Sequence, residues 1–375
     1  MQNSFNQTST TVDQAFARDG KGLMVYGNYR AAGYAVNPLS EVAGGILVSP
    51  DATPEAAFSQ AGLTWTADTT DVGFRAPALD HTNNLPGGAY HPTAAYKSIV
   101  RSDTGGLLAI HGPGYTPVQN HELRGIFDAL EGRAQIEDIL SINGGERVYI
   151  TATINAQNDV LPGDVVRRYL HLSNGHKGSS LRAYFTDKRL FCANQLSYFD
   201  GTVFNQANKK GDALKHRHSR GITEFIRRLP GLIDAEIQQF HTTIEGFRAM
   251  ADVQVTTEHA AQVLSAAFAD RLAVPIRDRT STDRSIMRKR TLLDLNDEVD
   301  AIRSHAYGDT GIGFDFPGMR GSLWGLYNAI TQYTTWDTGR AKDPLDRARG
   351  RLEALYGGAG SQRIERAREA CLALV

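Results

Sequence analysis

The sequence predicts an α+β fold, with an antiparallel sheet in the N-terminal half and a mostly helical C-terminal half. Three observations carry this. Strand-like runs RVYITATI, VVRRYLHL and LRAYFTDKRLF follow one another between Arg147 and Phe191. The turn Asn143-Gly144-Gly145 before them has the composition of a hairpin connection. From about Lys215 onward, apolar residues recur at helical spacing.

Each run carries the triplet Arg-x-Tyr-x-polar: Arg147, Tyr149, Thr151; Arg167, Tyr169, His171; Arg182, Tyr184, Thr186. Residues two apart in a strand share a face. The opposite face holds Val148, Ile150, Leu170, Leu172, Leu181 and Phe185, with Arg168 as its one charged member. The expected object is a sheet with one buried apolar face and one open face of Arg, Tyr, Thr and His. An open face of that kind is either a solvated sheet surface or a binding platform, with Arg on phosphates and Tyr stacked on bases.

Along the chain, residues 1–20 read as a polar mobile arm, 21–205 as a β-rich domain and 206–375 as a helical region packed on the sheet. Thr53 as N-cap, Pro54 and Gly62 delimit a first helix. LTWTADTTDV alternates like a strand, residues 77–92 read as a long loop, and AYKSIVR with GLLAIHG reads as a hairpin. Thr116 and Gln119 have capping-box spacing before the stripe Leu123, Ile126, Phe127, Leu130. AQIEDILSI is a strand. A helix from about Ser219 carries Ile222, Phe225, Ile226 and Leu229, and Pro230 should break or kink it. Four further helices are expected, over TTEHAAQVLSAAFADRL, STDRSIMRKRTLLDLNDEVDAIRSH, SLWGLYNAITQYTTW and from Asp343-Pro344 to Gly357. Ser361 caps a last one.

The chain has 375 residues, 41% hydrophobic and 22% charged, the composition of a soluble globular protein. No charged-apolar-small leader stands at Met1, and no apolar run reaches the roughly 18 residues of a membrane span. Cys192 and Cys371 belong to no CxxC pair, so free thiols in a reducing cytoplasm are expected. Phosphate-loop, nucleophile-elbow and HExxH signatures are missing, and no cofactor is implied. His171, His176, His216 and His218 with Cys192 could assemble a metal site, but the set is incomplete and poor in carboxylates.

Charge is the more informative signal. Between Val165 and Arg228 there are 13 Lys or Arg and 4 Asp or Glu, a local excess of 9 in a chain of net charge −1. Such segregation provides for an anionic partner. The loop SNGHKGSS offers small residues and backbone N–H groups beside His176 and Lys177. Lys188 and Arg189 end the third run. Lys209, Lys210, Lys215, Arg217 and Arg220 follow in NKKGDALKHRHSR, which is either a phosphate-tracking segment or a solvated linker. Arg284, Arg288, Lys289 and Arg290 form a second basic cluster, on a predicted helix.

Four blocks, TPEAAFSQAGLTW, GPGYTPVQNHELRGIFDAL, YLHLSNGHKGSSLRAYFTDKRLFCANQL and LWGLYNAITQYTTW, give the chain its resemblance to the phage/plasmid-like protein family, domain of unknown function 932. The resemblance implies a setting on phages, prophages and plasmids, among genes of DNA entry, replication and recombination. It assigns no catalytic residue. A fainter likeness links the chain to single-strand annealing proteins, whose core is a helix, an antiparallel sheet and a long helix across it. The expectation is a non-enzymatic protein that binds single-stranded DNA, anneals strands and acts as an oligomer. A protein-interaction module that counters host defence and a metal-dependent nuclease are the alternatives.

Overall fold

The fold is that of a computed structural model, which describes residues 43–75, 90–178, 180–190, 192, 194–197, 215–218, 222–280, 282–283 and 285–375. The expected N-terminal arm, the 205/206 boundary and the positions of Lys209, Lys210 and Arg220 lie outside them.

The architecture is α+β, with antiparallel sheets in the N-terminal half and helices in the C-terminal half. Helix α1 (Pro54–Gln60) starts at Thr53, whose hydroxyl accepts the Ala56 N–H at 3.2 Å. A three-stranded sheet follows: β2 (Ala67–Arg75), β3 (Tyr90–Arg101) and β4 (Leu107–His111), all antiparallel. Helix α2 (Asn120–Ala129) begins three residues later than the Thr116 spacing suggests. Its capping pair is Gln119 and Glu122, the Glu122 carboxylate accepting the Gln119 N–H at 2.7 Å.

The main sheet has the order β1-β5-β6-β7-β8-β9, a meander from β5 to β9 with β1 added at the β5 edge. Its members are β1 (Ile46–Leu47), β5 (Ala134–Ile142), β6 (Arg147–Asp159), β7 (Val165–Gly175), β8 (Leu181–Arg189) and β9 (Lys215–His216). The Asn143-Gly144-Gly145 turn joins β5 to β6. At Gly145 φ is +96°, and a Cβ would stand 2.4 Å from the Trp65 ring, so only glycine fits there.

Helix α3 (Thr223–Asp252) runs across the apolar side of this sheet. Phe225, Leu229, Leu232 and Ile233 are buried along it. Ile226, predicted with that stripe, is only partly buried. Pro230 does not break the helix: buried side chains immediately before and after it hold both halves against the core. Arg168 is the polar centre of this interface. It is fully buried, forks onto Asp187 at 2.7 and 2.9 Å, and donates to Glu236 at 2.8 Å and to Thr243 at 3.1 Å.

Burial raises the Glu236 carboxyl to about 7, against the lowering pull of Arg168. A carboxyl raised in the folded state stabilises fully below its unfolded value and loses that contribution as pH rises through the folded value. Stability should therefore drop between about pH 4.5 and pH 7 by roughly 3 kcal/mol on account of this group. Glu236→Gln keeps an acceptor for Arg168 without the charge. Urea midpoints at pH 5 and pH 7 should differ less for the variant than for the parent, and equal differences would refute the assignment.

The remaining helices are α4 (Thr257–Ala267), α5 (Ala269–Leu272), α6 (Asn296–Tyr307), α7 (Leu323–Gln332), α8 (Pro344–Leu355) and α9 (Ala359–Leu372). Every residue of α7 is buried, and it packs on α3, α6 and α9. Asp343 caps α8 as expected, accepting the Asp346 N–H at 2.9 Å. Ser361 lies inside α9 and donates to the Gly358 carbonyl at 2.8 Å.

The predicted helix over 281–305 is half hairpin. Strands β10 (Ile276–Arg277) and β11 (Met287–Arg288) pair, and α6 starts only at Asn296. Asp278 accepts from Thr280, and Asp283 from Ser285, and such local bonds favour turns over helix. Among the described residues, no helix is long and apolar enough to cross a membrane. Both cysteines are buried free thiols.

Candidate nucleic-acid interface

The triplet face of β6, β7 and β8 is not open. The apolar side is buried as expected, but Tyr149, Tyr169 and Tyr184 are 6%, 1% and 2% exposed, and Thr151, His171 and Thr186 are buried with them. The cover comes from the end of α8. Tyr356 places its ring 5.6 Å from Tyr149, 4.7 Å from His171 and 5.3 Å from Tyr184. Gln195 donates to the Leu355 carbonyl at 2.9 Å, and Arg147 pairs with Glu353 at 2.6 Å. The sheet is thus a middle layer, and the expected stacking role of the three tyrosines is corrected to one of packing.

The cations divide in the same way. Arg167 donates to Gln157 and pairs with Glu137 at 3.4 Å. Arg189 is buried in an ion pair with Asp164 and donates to the Ile312 and Gly313 carbonyls. Lys188 is buried over the Tyr169 ring at 4.8 Å, its Nζ without a hydrogen-bond partner among the described residues. Burial pulls its pKa down to about 8, although Asp138 and Glu137 oppose this. Neither Lys188 nor Arg189 can reach a phosphate.

Lys177, Arg182 and Arg217 are exposed, all at the end of the sheet where β6 and β8 start and β7 stops. Lys177 has Glu146 at 3.8 Å. Arg182 pairs in register with Ser173 and with Lys215 of β9.

His171, His176 and His218 do not add to this charge. The ring nitrogens of His171 lie 3.2 Å from the Thr151 hydroxyl and 2.8 Å from that of Thr186, and burial holds its pKa well below the usual value. His176 and His218 are buried elsewhere, and desolvation lowers them to about 4 and about 3. Both are neutral at pH 7. His216 is half-buried, with its ring 6.4 Å from Phe225. Cys192 sits beside Arg189 instead. Among the described residues, no three His, Cys, Asp or Glu side chains are placed to hold a metal ion.

What His176 and His218 do is join the two sheets. Tyr115 is stacked between His111 at 3.8 Å and His218 at 4.9 Å, and its hydroxyl lies 2.7 Å from His218 Nδ1. His111 Nε2 also contacts the His176 carbonyl. His111 pairs in register with Lys97, so β3 leaves from the same end of the main sheet that carries Lys177 and Arg217. The outer part of β2 and β3 forms an arm whose residues are mostly solvent-exposed. Phe74, Tyr90 and Tyr96 stand on it 51%, 52% and 54% exposed, with the Phe74 ring 5.5 Å from His91 and with Phe74 and Tyr90 on opposite faces of the hairpin.

These aromatics were not singled out from the sequence. The bulge between Asp71 and Val72 breaks the alternation that marks a strand, and Tyr90 falls in a Pro- and Gly-rich stretch.

The family model described as a domain of unknown function, DUF932, matches residues 107–356. The chain belongs to the DUF932 family. No curated protein and no solved structure matches it. In this DUF932 protein the matched region runs from β4 to Tyr356. It therefore contains β5 to β9, helix α3 and the Tyr356 cover together. The arm with Phe74, Tyr90 and Tyr96 precedes it.

Proposed function

We propose that this DUF932 protein binds nucleic acid, single-stranded DNA foremost, at the end of the main sheet where the arm departs. The carrying observation is a group of exposed cations at that end, with exposed aromatics along the arm that departs from it. Lys177, Arg182 and Arg217 meet phosphates, and Lys215 and the pair Lys209 and Lys210, the latter two outside the described residues, would add to their charge. Phe74, Tyr90 and Tyr96 provide the stacking surface. Such contacts read no base sequence. Strand annealing in recombination or replication is the role this binding would serve on a phage, prophage or plasmid. The order α2, antiparallel meander, long helix α3 is the one implied by the likeness to single-strand annealing proteins, and it supports the reading as analogy only.

Replacing Lys177, Arg182, Lys215 and Arg217 together by Gln should weaken binding of an oligonucleotide similarly for unrelated sequences. The slope of log K against log salt should shrink by about 0.7 per contact, close to 3 in all. Fluorescence anisotropy at several salt concentrations measures both. Parental affinity and slope in the quadruple variant would remove the basic end from the interface.

A second reading has its own observation. Leu107 and Ile110 of β4 are 62% and 53% exposed, and β4 pairs only with β3 among the described residues. An apolar surface beside a free strand edge suits a protein partner, as in a module that counters host defence. Binding of DNA that is weak and insensitive to salt would favour it.

A further inference from the structure

The hairpin of β10 and β11 brings four arginines to one groove. Arg277, Arg279, Arg288 and Arg290 line it with Ile276, Leu293 and Asp294, around a volume of about 510 Å³. That size lies within the roughly 300–1,000 Å³ of small-molecule sites.

The single carboxylate in the lining is already committed. Asp294 takes the Arg288 fork at 2.8 and 2.5 Å and accepts the Thr291 N–H at 2.8 Å, which holds its carboxyl far below the usual range. Arg290 donates to the Arg271 carbonyl at 3.3 Å. Arg277 and Arg279 are exposed and form no ion pair among the described residues. Of the nearby acids, Asp278 accepts from Thr280 and also attracts Arg288, and Asp283 accepts from Ser285.

A groove that gathers four guanidinium groups around one already paired carboxylate suits an anion. The guanidinium fork matches a phosphate edge with two parallel bonds. Two uncommitted forks suit two phosphate groups of one ligand. Ile276 and Leu293, the latter 80% exposed, add an apolar wall that an inorganic anion would not use.

We propose that this groove binds a small organic polyphosphate of the nucleoside di- or triphosphate class. The site stands apart from the sheet end and does not depend on the nucleic-acid reading.

Calorimetric titration of the whole protein with ATP, and separately with tripolyphosphate, tests it. Both probes should bind the parent. Arg277→Gln with Arg279→Gln should weaken both at least about tenfold without changing the melting temperature, since the two side chains support no packing. Leu293→Ala should weaken ATP and leave tripolyphosphate unchanged. Absence of ATP binding to the parent at millimolar concentration would overturn the proposal. So would an unchanged affinity in the double variant, or a double variant impaired for an oligonucleotide while neither small probe binds the parent.

Discussion

Arg168→Met should destabilise the protein by about 3–5 kcal/mol, the range for removing one partner from a buried ion cluster. Arg168 satisfies two carboxylates at once, Asp187 and Glu236, and all three side chains are sealed between β7, β8 and α3. Methionine fills the space of the alkyl stem but leaves Asp187 charged in a dry interface. Ser197 Oγ at 2.7 Å is then its main side-chain donor. The cost comes from the stranded acids. Replacing Arg168, Asp187 and Glu236 together by apolar residues should therefore recover much of the loss. Urea denaturation of the single and triple variants separates the two cases. A single variant within about 1 kcal/mol of the parent would mean that the cluster is not sealed.

The second large effect distinguishes two sets of tyrosines. Tyr169→Ala and Tyr184→Ala should each cost about 3–5 kcal/mol of stability, as for other buried aromatics, because Tyr184 is enclosed under Tyr356 and Tyr169 is buried beside Lys188 and His171. Tyr169→Phe should bind DNA as the parent does. Tyr90→Ala and Tyr96→Ala should do the reverse. They leave the melting temperature in place and lower affinity for single strands by roughly 1–3 kcal/mol per stacked base, with the salt slope unchanged. If Tyr169→Phe impairs binding and the Tyr90 and Tyr96 variants do not, the interface lies on the main sheet after all.

Much of the framework was readable from residue order. The alternation in β6, β7 and β8 identified the apolar face, including Arg168 as its odd member, but not that the opposite face is buried too. The helices that begin at Thr53 and Asp343 announced themselves through their caps. What alternation cannot say is whether a second layer lies over a polar face. Tyr, Thr and His suit water, and they suit an interior equally when hydroxyls find ring nitrogens, as Thr151 and Thr186 do around His171. The covering residues, Glu353 and Tyr356, come from the far end of the chain, and no local pattern links them to β6. The hairpin at 276–288 was missed for the opposite reason. Its basic and apolar residues allow helical spacing, and only the side-chain bonds of Asp278 and Asp283 tip the stretch into turns.

The cover contributed by Tyr356 also bears on how the protein assembles. Arg147 and Glu353, which meet across the covered face, are 206 residues apart in sequence. Strands β5 to β8 need only short loops to pair, whereas closure over their outer face waits for a distant segment, and distant contacts form slowly. During that interval one side of the sheet is wet. An aliphatic lining there would make the half-built chain adhesive and prone to aggregate. Tyrosine, threonine and histidine instead remain soluble in the uncovered state and become well packed in the covered one. The same side chains that resemble a surface in sequence thus keep the unfinished sheet from sticking to other chains while it waits for its last layer.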